Sequence, residues 1–184
     1  MNSDNRNLII ELLKSVKRPG MGDLVSYLEN SDFFEAPAST KYHLDIPGGL
    51  AKHSLNVYYN LKKMCGDIYD EDTIKIVSLL HDICKANTYK KSTKNVQNED
   101  GKWVIKQTYT VDDILPLGHG EKSVILIQKY IDLSVQEMLA IRWHMGSFEG
   151  KDNLKHLNKA FNQCKLAVWL HIADLKATHI DEAE

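Results

Sequence analysis

The sequence predicts an all-α fold, a helical bundle interrupted by one small β-hairpin. Apolar residues recur at helical spacing along most of the 184 residues. One stretch, Tyr89 to Val111, breaks that period with Thr, Val, Trp and Tyr on either side of a turn sequence. An apolar fraction of 43% is enough for one compact core and leaves little chain for a second. Residues 1–184 are therefore expected to form a single domain, with a helical segment over 1–35, a core over 36–180 and the hairpin at 89–111.

The elements follow in order. Leu8, Ile9, Leu12, Leu13 and Val16 mark a first helix that Arg18-Pro19-Gly20 ends, and a short second helix covers Gly22 to Glu29. Asn30 to Gly49 holds Pro37, Pro47 and paired glycines, and reads as an extended loop into a helix at about Leu50 that carries His53 in its first turn. Thr73 is placed to cap a helix whose Ile76, Leu79, Leu80 and Ile83 share one face, with His81 and Asp82 near its C-terminal end. Asn98-Glu99-Asp100-Gly101 is the hairpin turn. Gly118-His119-Gly120 opens a helix through Ile131, and Ser134 to Glu137 is a capping box opening another that runs to Met145. A final long helix, about Asn153 to His179, carries Leu157, Phe161, Cys164, Val168, Ile172 and Leu175 on one stripe, with Asp174 beside it. Trp143 and Trp169 fall in helices as core residues, and Trp103 is expected to pack back from the hairpin onto the domain.

Composition narrows function. Lys plus Arg number 23 against 25 Asp plus Glu, a formal charge of -2 with no like-charge block, so duplex nucleic acid is not an expected partner. Cys65, Cys84 and Cys164 are an odd set without Cys-x-x-Cys spacing, which argues against a disulfide framework and for a reducing cytoplasm. The polar N-terminus and the lack of a long apolar run give no sign of export or of a membrane partner.

The histidines, eight in all, carry the functional signal. His81-Asp82 offers an imidazole and a carboxylate at one helix end, a pair suited to a divalent ion. Alone, the dipeptide is more simply a solvated helix end. His53, His119, His144 and Asp174 change the balance, because antiparallel helices would gather them in one pocket.

In these motifs the chain resembles the HD-domain superfamily of metal-dependent phosphohydrolases, over roughly residues 37–178. Gly48-Gly49-Leu50-Ala51-Lys52-His53 looks like the family's first-histidine helix, Leu79-Leu80-His81-Asp82-Ile83-Cys84-Lys85 like its His-Asp-x-x-Lys helix, and His171-Ile172-Ala173-Asp174 like its closing aspartate helix. Gly118-His119-Gly120-Glu121-Lys122-Ser123 and Arg142-Trp143-His144-Met145-Gly146 match the further histidines of the binuclear subset. Pro37 to His43 before the double glycine is similar to the HD domain of certain bacterial exoribonucleases. Their added nucleic-acid-binding domain is not expected within these 184 residues, and a long RNA is therefore not the expected substrate.

The resemblance implies that His53, His81, Asp82 and Asp174 bind one metal and Asp82, His119 and His144 a second, with Asp82 bridging. The all-nitrogen-and-oxygen set ranks iron or manganese first, with Zn, Co or Ni as options. Two such ions activate water and stabilise the leaving oxygen, so no protein nucleophile is required. Lys85, three residues beyond Asp82, is placed to reach a phosphate, and Lys122, Arg142 and the loop residue His43 are weaker substrate contacts, each also readable as an ordinary surface or loop residue. His171 is a supporting histidine rather than a ligand. Cys84 is expected to point away from Asp82 as a small buried side chain.

The expected function is hydrolysis of a phosphoester or phosphodiester in a nucleotide or other small phosphorylated substrate. HD-fold di-iron oxygenases share the same ligand order and are separated by substrate and a mixed-valent iron signal. A non-catalytic nucleotide-binding module is the third class, and the intact ligand set argues against it.

Overall fold

A computed structural model describes residues 2–40 and 44–183 of the chain. The described residues form eight α-helices and one two-stranded hairpin, the all-α bundle with an insertion that the sequence predicts. Helices α1 (Asn2–Lys14) and α2 (Met21–Asn30) bury Ile9, Leu13, Leu24 and Leu28 at helical spacing. The loop that follows is less open than its composition predicts. Phe33 and Phe34 are buried, packed edge to face at 5.2 Å, and tie the approach to the next helix into the core.

Helix α3 (Gly49–Cys65) starts behind Gly48, whose φ of 78° is left-handed and suits glycine. Helix α4 (Glu71–Leu80) begins two residues before Thr73: Asp70 is the cap, accepting the Thr73 N–H at 2.8 Å. Glu71 and Asp72 then lie in the first turn, where the helix dipole favours anions. Past Leu80 the α-helix stops. Asp82 has φ −108° and ψ 20°, and Ile83–Lys85 form one 3₁₀ turn.

Strands β1 (Tyr89–Gln97) and β2 (Trp103–Val111) pair antiparallel from Tyr89↔Val111 to Gln97↔Trp103. Lys102 N–H donates to the Asn98 side chain across the turn. Among the described residues the ribbon packs against the hydrophobic core at its base, through Tyr89. Trp103, at the far end, is 70% exposed rather than packed back, because nine paired positions carry it away from the bundle.

Helix α5 (His119–Gln128) is shorter than predicted, ending in a turn before buried Ile131. Helix α6 (Val135–Trp143) has the predicted capping box between Ser134 and Glu137. The expected long C-terminal helix is two helices, α7 (Leu154–Gln163) and α8 (Lys165–Lys176), split at Cys164 with φ −129° and ψ 99°. The break resets the helical phase. Leu157 and Cys164 are buried as expected, but beyond it Leu166, Ala167, Leu170 and Ala173 face the core while Ile172 is 39% exposed. Trp143 is buried and Trp169 packs against the core from its edge. Helix α8 lies against α3 and α6, α3 against α4, and α5 against α6. Among the described residues no helix is long and apolar enough to cross a membrane.

Candidate metal centre

The centre grows from helix ends. His81 and His144 each follow the last residue of a helix, α4 and α6 respectively, where backbone carbonyls lack helical partners. His81 Nδ1–H donates to Ser78 O at 2.8 Å, and His144 Nδ1–H to Ile141 O at 2.6 Å. The same local bond thus turns each Nε2 inward and selects its tautomer. His53 comes from the second turn of α3 and Asp174 from α8, which crosses it.

Their polar atoms converge. His53 Nε2 is 3.3 Å from His81 Nε2 and 3.1 Å from Asp174 Oδ1. Asp82 Oδ2 is 3.5 Å from His81 Nε2 and 4.0 Å from His53 Nε2, whereas Oδ1 faces His144 Nε2 at 3.4 Å. Asp82 Oδ1 and His144 Nε2 are buried without completing a hydrogen bond to any described residue. Ligand atoms of His53, His81 and Asp82, and of His81, His144 and Asp174, lie within 4.8 Å of one another. His119, the first residue of α5, is exposed and groups instead with Asp82 and Cys84. Helix α5 comes this close because of Gly120: a Cβ there would stand 2.1 Å from Arg142 O.

The electrostatics favour a cation. Burial alone would lower His53, but hydrogen bonds to Asp174 and Glu182 override it and bring the imidazole up to about 9. His144 is likewise raised by Asp82 against its burial. Among the described residues His81 makes no such bond to a carboxylate, and burial takes it down to about 4. Asp82 and Asp174 stay well below the usual carboxylate range: burial opposes this, but Lys85 and the imidazoles outweigh it for Asp82, and His53 for Asp174. Buried carboxylates and convergent imidazole nitrogens, with Asp82 Oδ1 and His144 Nε2 making no hydrogen bond among the described residues, fit a divalent transition ion.

The cations predicted to meet phosphate all have partners within the protein. Lys85 Nζ is buried between Asp82 Oδ2 at 2.7 Å and Ala38 O at 2.6 Å. Lys122 Nζ bonds Asp113 and Thr88, which bolts the base of the hairpin to α5. Arg142 pairs with Glu121 and stacks over Trp143 at 4.1 Å. His43 lies outside the described residues. His171 Nδ1–H donates to His144 O at 2.6 Å and so braces the chain at that residue.

Two residues escaped the sequence. Glu182 is buried, accepts from His53 Nδ1 at 3.1 Å and from Asn56 at 2.8 Å, and is brought there by a π turn over Ala177–Asp181. Nothing local marks it, since its partner is 129 residues away. Cys84 does not point away from the centre: its Sγ is 3.5 Å from His119 Nδ1. The helical geometry behind that expectation ends at Leu80, and the 3₁₀ turn redirects the side chain.

The HD domain model matches residues 50–178, and the chain belongs to the HD domain family. A curated relative, the dihydroneopterin 2',3'-cyclic phosphate phosphodiesterase of Methanocaldococcus jannaschii, is 30% identical over 151 residues. The match takes in 77% of this chain and 53% of that protein, so the chain spans about half the length of the curated relative it matches. No solved structure matches the chain.

Proposed function

We propose that the chain is a metal-dependent phosphohydrolase that cleaves a small phosphoester or phosphodiester through activated water. The observation that carries this is the buried convergence of His53, His81, Asp82, His144 and Asp174, with Asp82 Oδ1 and His144 Nε2 making no hydrogen bond among the described residues. In this reading His53, His81, Asp82 and Asp174 hold one ion, and Asp82, His119 and His144 another. The opposite outlooks of the two Asp82 oxygens, Oδ2 toward His81 and Oδ1 toward His144, favour a bridging carboxylate. When bound, a pair of ions supplies an activated water and positive charge for the phosphoryl and leaving oxygens.

The protein's own side chains do the rest. Lys85 holds the Asp82 carboxylate in place and ionised, with its ammonium 2.7 Å from Asp82 Oδ2. Lys122 and Arg142 would exchange Asp113 and Glu121 for phosphate oxygens, with His43, which precedes α3 in the sequence, completing the contact set. The near-neutral charge suits a compact substrate. Membership of the HD family and the phosphodiesterase named above point to a cyclic or linear phosphodiester of a nucleotide-like molecule. The single-domain reading of residues 1–184 and a cytoplasmic setting belong to the same proposal.

The test pairs elemental analysis of protein purified without added metal with hydrolysis of 2',3'-cyclic nucleotides and an aryl phosphodiester. Bound transition metal with metal-dependent cleavage, both lost in Asp82→Ala, is the expected result. Two irons without cleavage would turn the assignment to oxygenase chemistry, and metal retained in Asp82→Ala would remove the bridging role.

A further inference from the structure

The 3₁₀ turn after α4 gathers a third type of donor beside the imidazoles and carboxylates. Cys84 is 2% exposed, its Sγ lies 3.5 Å from His119 Nδ1, and both belong with Asp82 to a group whose ligand atoms lie within 4.8 Å of one another. Sulfur and nitrogen ligands on one tetrahedral ion, at about 2.3 Å and about 2.0 Å, stand about 3.5 Å apart. We propose that Cys84 is a thiolate ligand, joining Asp82 and His119 at the second metal position. The inference rests on the metal-centre reading above and adds a sulfur to its nitrogen and oxygen set.

Several features prepare the position. The Cys84 backbone N–H donates to Ser123 Oγ at 3.3 Å, and Cys84 O accepts from the Thr88 hydroxyl at 2.8 Å, so the turn carrying the sulfur is pinned on both sides. Asp82 Oδ1 is buried without a hydrogen bond among the described residues, so the carboxylate has capacity for an ion beside Cys84. Binding exchanges one bond for another: the sulfur–hydrogen bond breaks, a sulfur–metal bond forms, and the proton passes to solvent with no change of oxidation state. One thiolate biases the position toward zinc, cobalt or iron and away from magnesium and manganese.

The experiment is cobalt(II) titration of the metal-free full chain, followed by near-ultraviolet absorption. A sulfur-to-cobalt charge-transfer band is expected in the wild-type protein, absent in Cys84→Ser and retained in Cys65→Ser and Cys164→Ser. Cobalt affinity at one position is expected to fall at least about tenfold in Cys84→Ser. Cobalt bound by the wild type without the band would overturn the ligand role, leaving Cys84 as a hydrogen-bond partner of His119 and the centre itself intact. No cobalt bound by the wild type would overturn this inference and the metal-centre reading together. The wild-type spectrum decides even if the serine variant fails to fold.

Discussion

His53 is held from both ends of its ring, by Asp174 at Nε2 and by Glu182 at Nδ1, both at 3.1 Å. If Nε2 is to face an ion, the Nδ1 contact sets which nitrogen keeps the proton and how basic the other becomes. Glu182 is therefore a positioning residue. Glu182→Gln preserves its shape and removes its charge, and is expected to weaken metal binding about 10–100-fold without changing helix content. Competition against a chromogenic chelator, alongside circular dichroism, checks this; unchanged affinity would reduce Glu182 to a tether between the π turn and α3. The ordered motifs and the family resemblance they carry already singled out His53, His81, Asp82, His119, His144 and Asp174 in the sequence, and ligand atoms of all six fall in the clusters of the centre. Glu182 and the direction of Cys84 were not legible, one for want of a local mark and the other because its turn leaves the α-helical period.

Between elements, Glu137 does for the fold what Asp82 does for the centre. Its fully buried carboxylate accepts from Arg18 at 2.8 Å, from Thr73 at 3.2 Å and from the Ser134 N–H at 2.7 Å. It thereby joins the α1–α2 connection to the starts of α4 and α6. Burial works to raise its pKa, but the bonds to Arg18 and Ser134 outweigh it and set it below the ordinary 4.5. A carboxyl lowered on folding contributes stability in full above its unfolded value, and that contribution disappears as pH falls through its lower folded value. Glu137→Gln is thus expected to cost about 1–3 kcal/mol at neutral pH and less toward the acid limb. Urea unfolding across the acid range reads this as converging wild-type and variant midpoints; a constant gap would show that the charge is not involved. The capping box was readable in four consecutive residues, whereas Arg18 and Thr73 are 119 and 64 residues from Glu137 and came from no pattern.

For the whole molecule, the bundle and the ribbon are nearly separate constructions. The helices share a main core with a second small cluster of Trp143, Leu157 and Ala160 beneath α7, while β1 and β2 are mostly exposed and pack chiefly on each other. Replacing residues 93–107 with an Asn-Gly turn keeps Lys122 bonded to Asp113 and Thr88 at the base, and should change stability by about 0.5 kcal/mol or less. Thermal melting and metal content check it; loss of metal on excision would show that the ribbon helps hold the centre.

The types of the candidate ligands and most of the helices were legible in the sequence itself, since side-chain chemistry is a property of each residue and helical periodicity extends over only a few turns. Tertiary structure alone decided the break at Cys164, the exposure of Trp103 and the face that α8 buries. It also decided that Lys85, Lys122 and Arg142 would meet carboxylates within the chain. Those outcomes depend on which distant groups arrive beside each residue, and local spacing carries no record of that arrival.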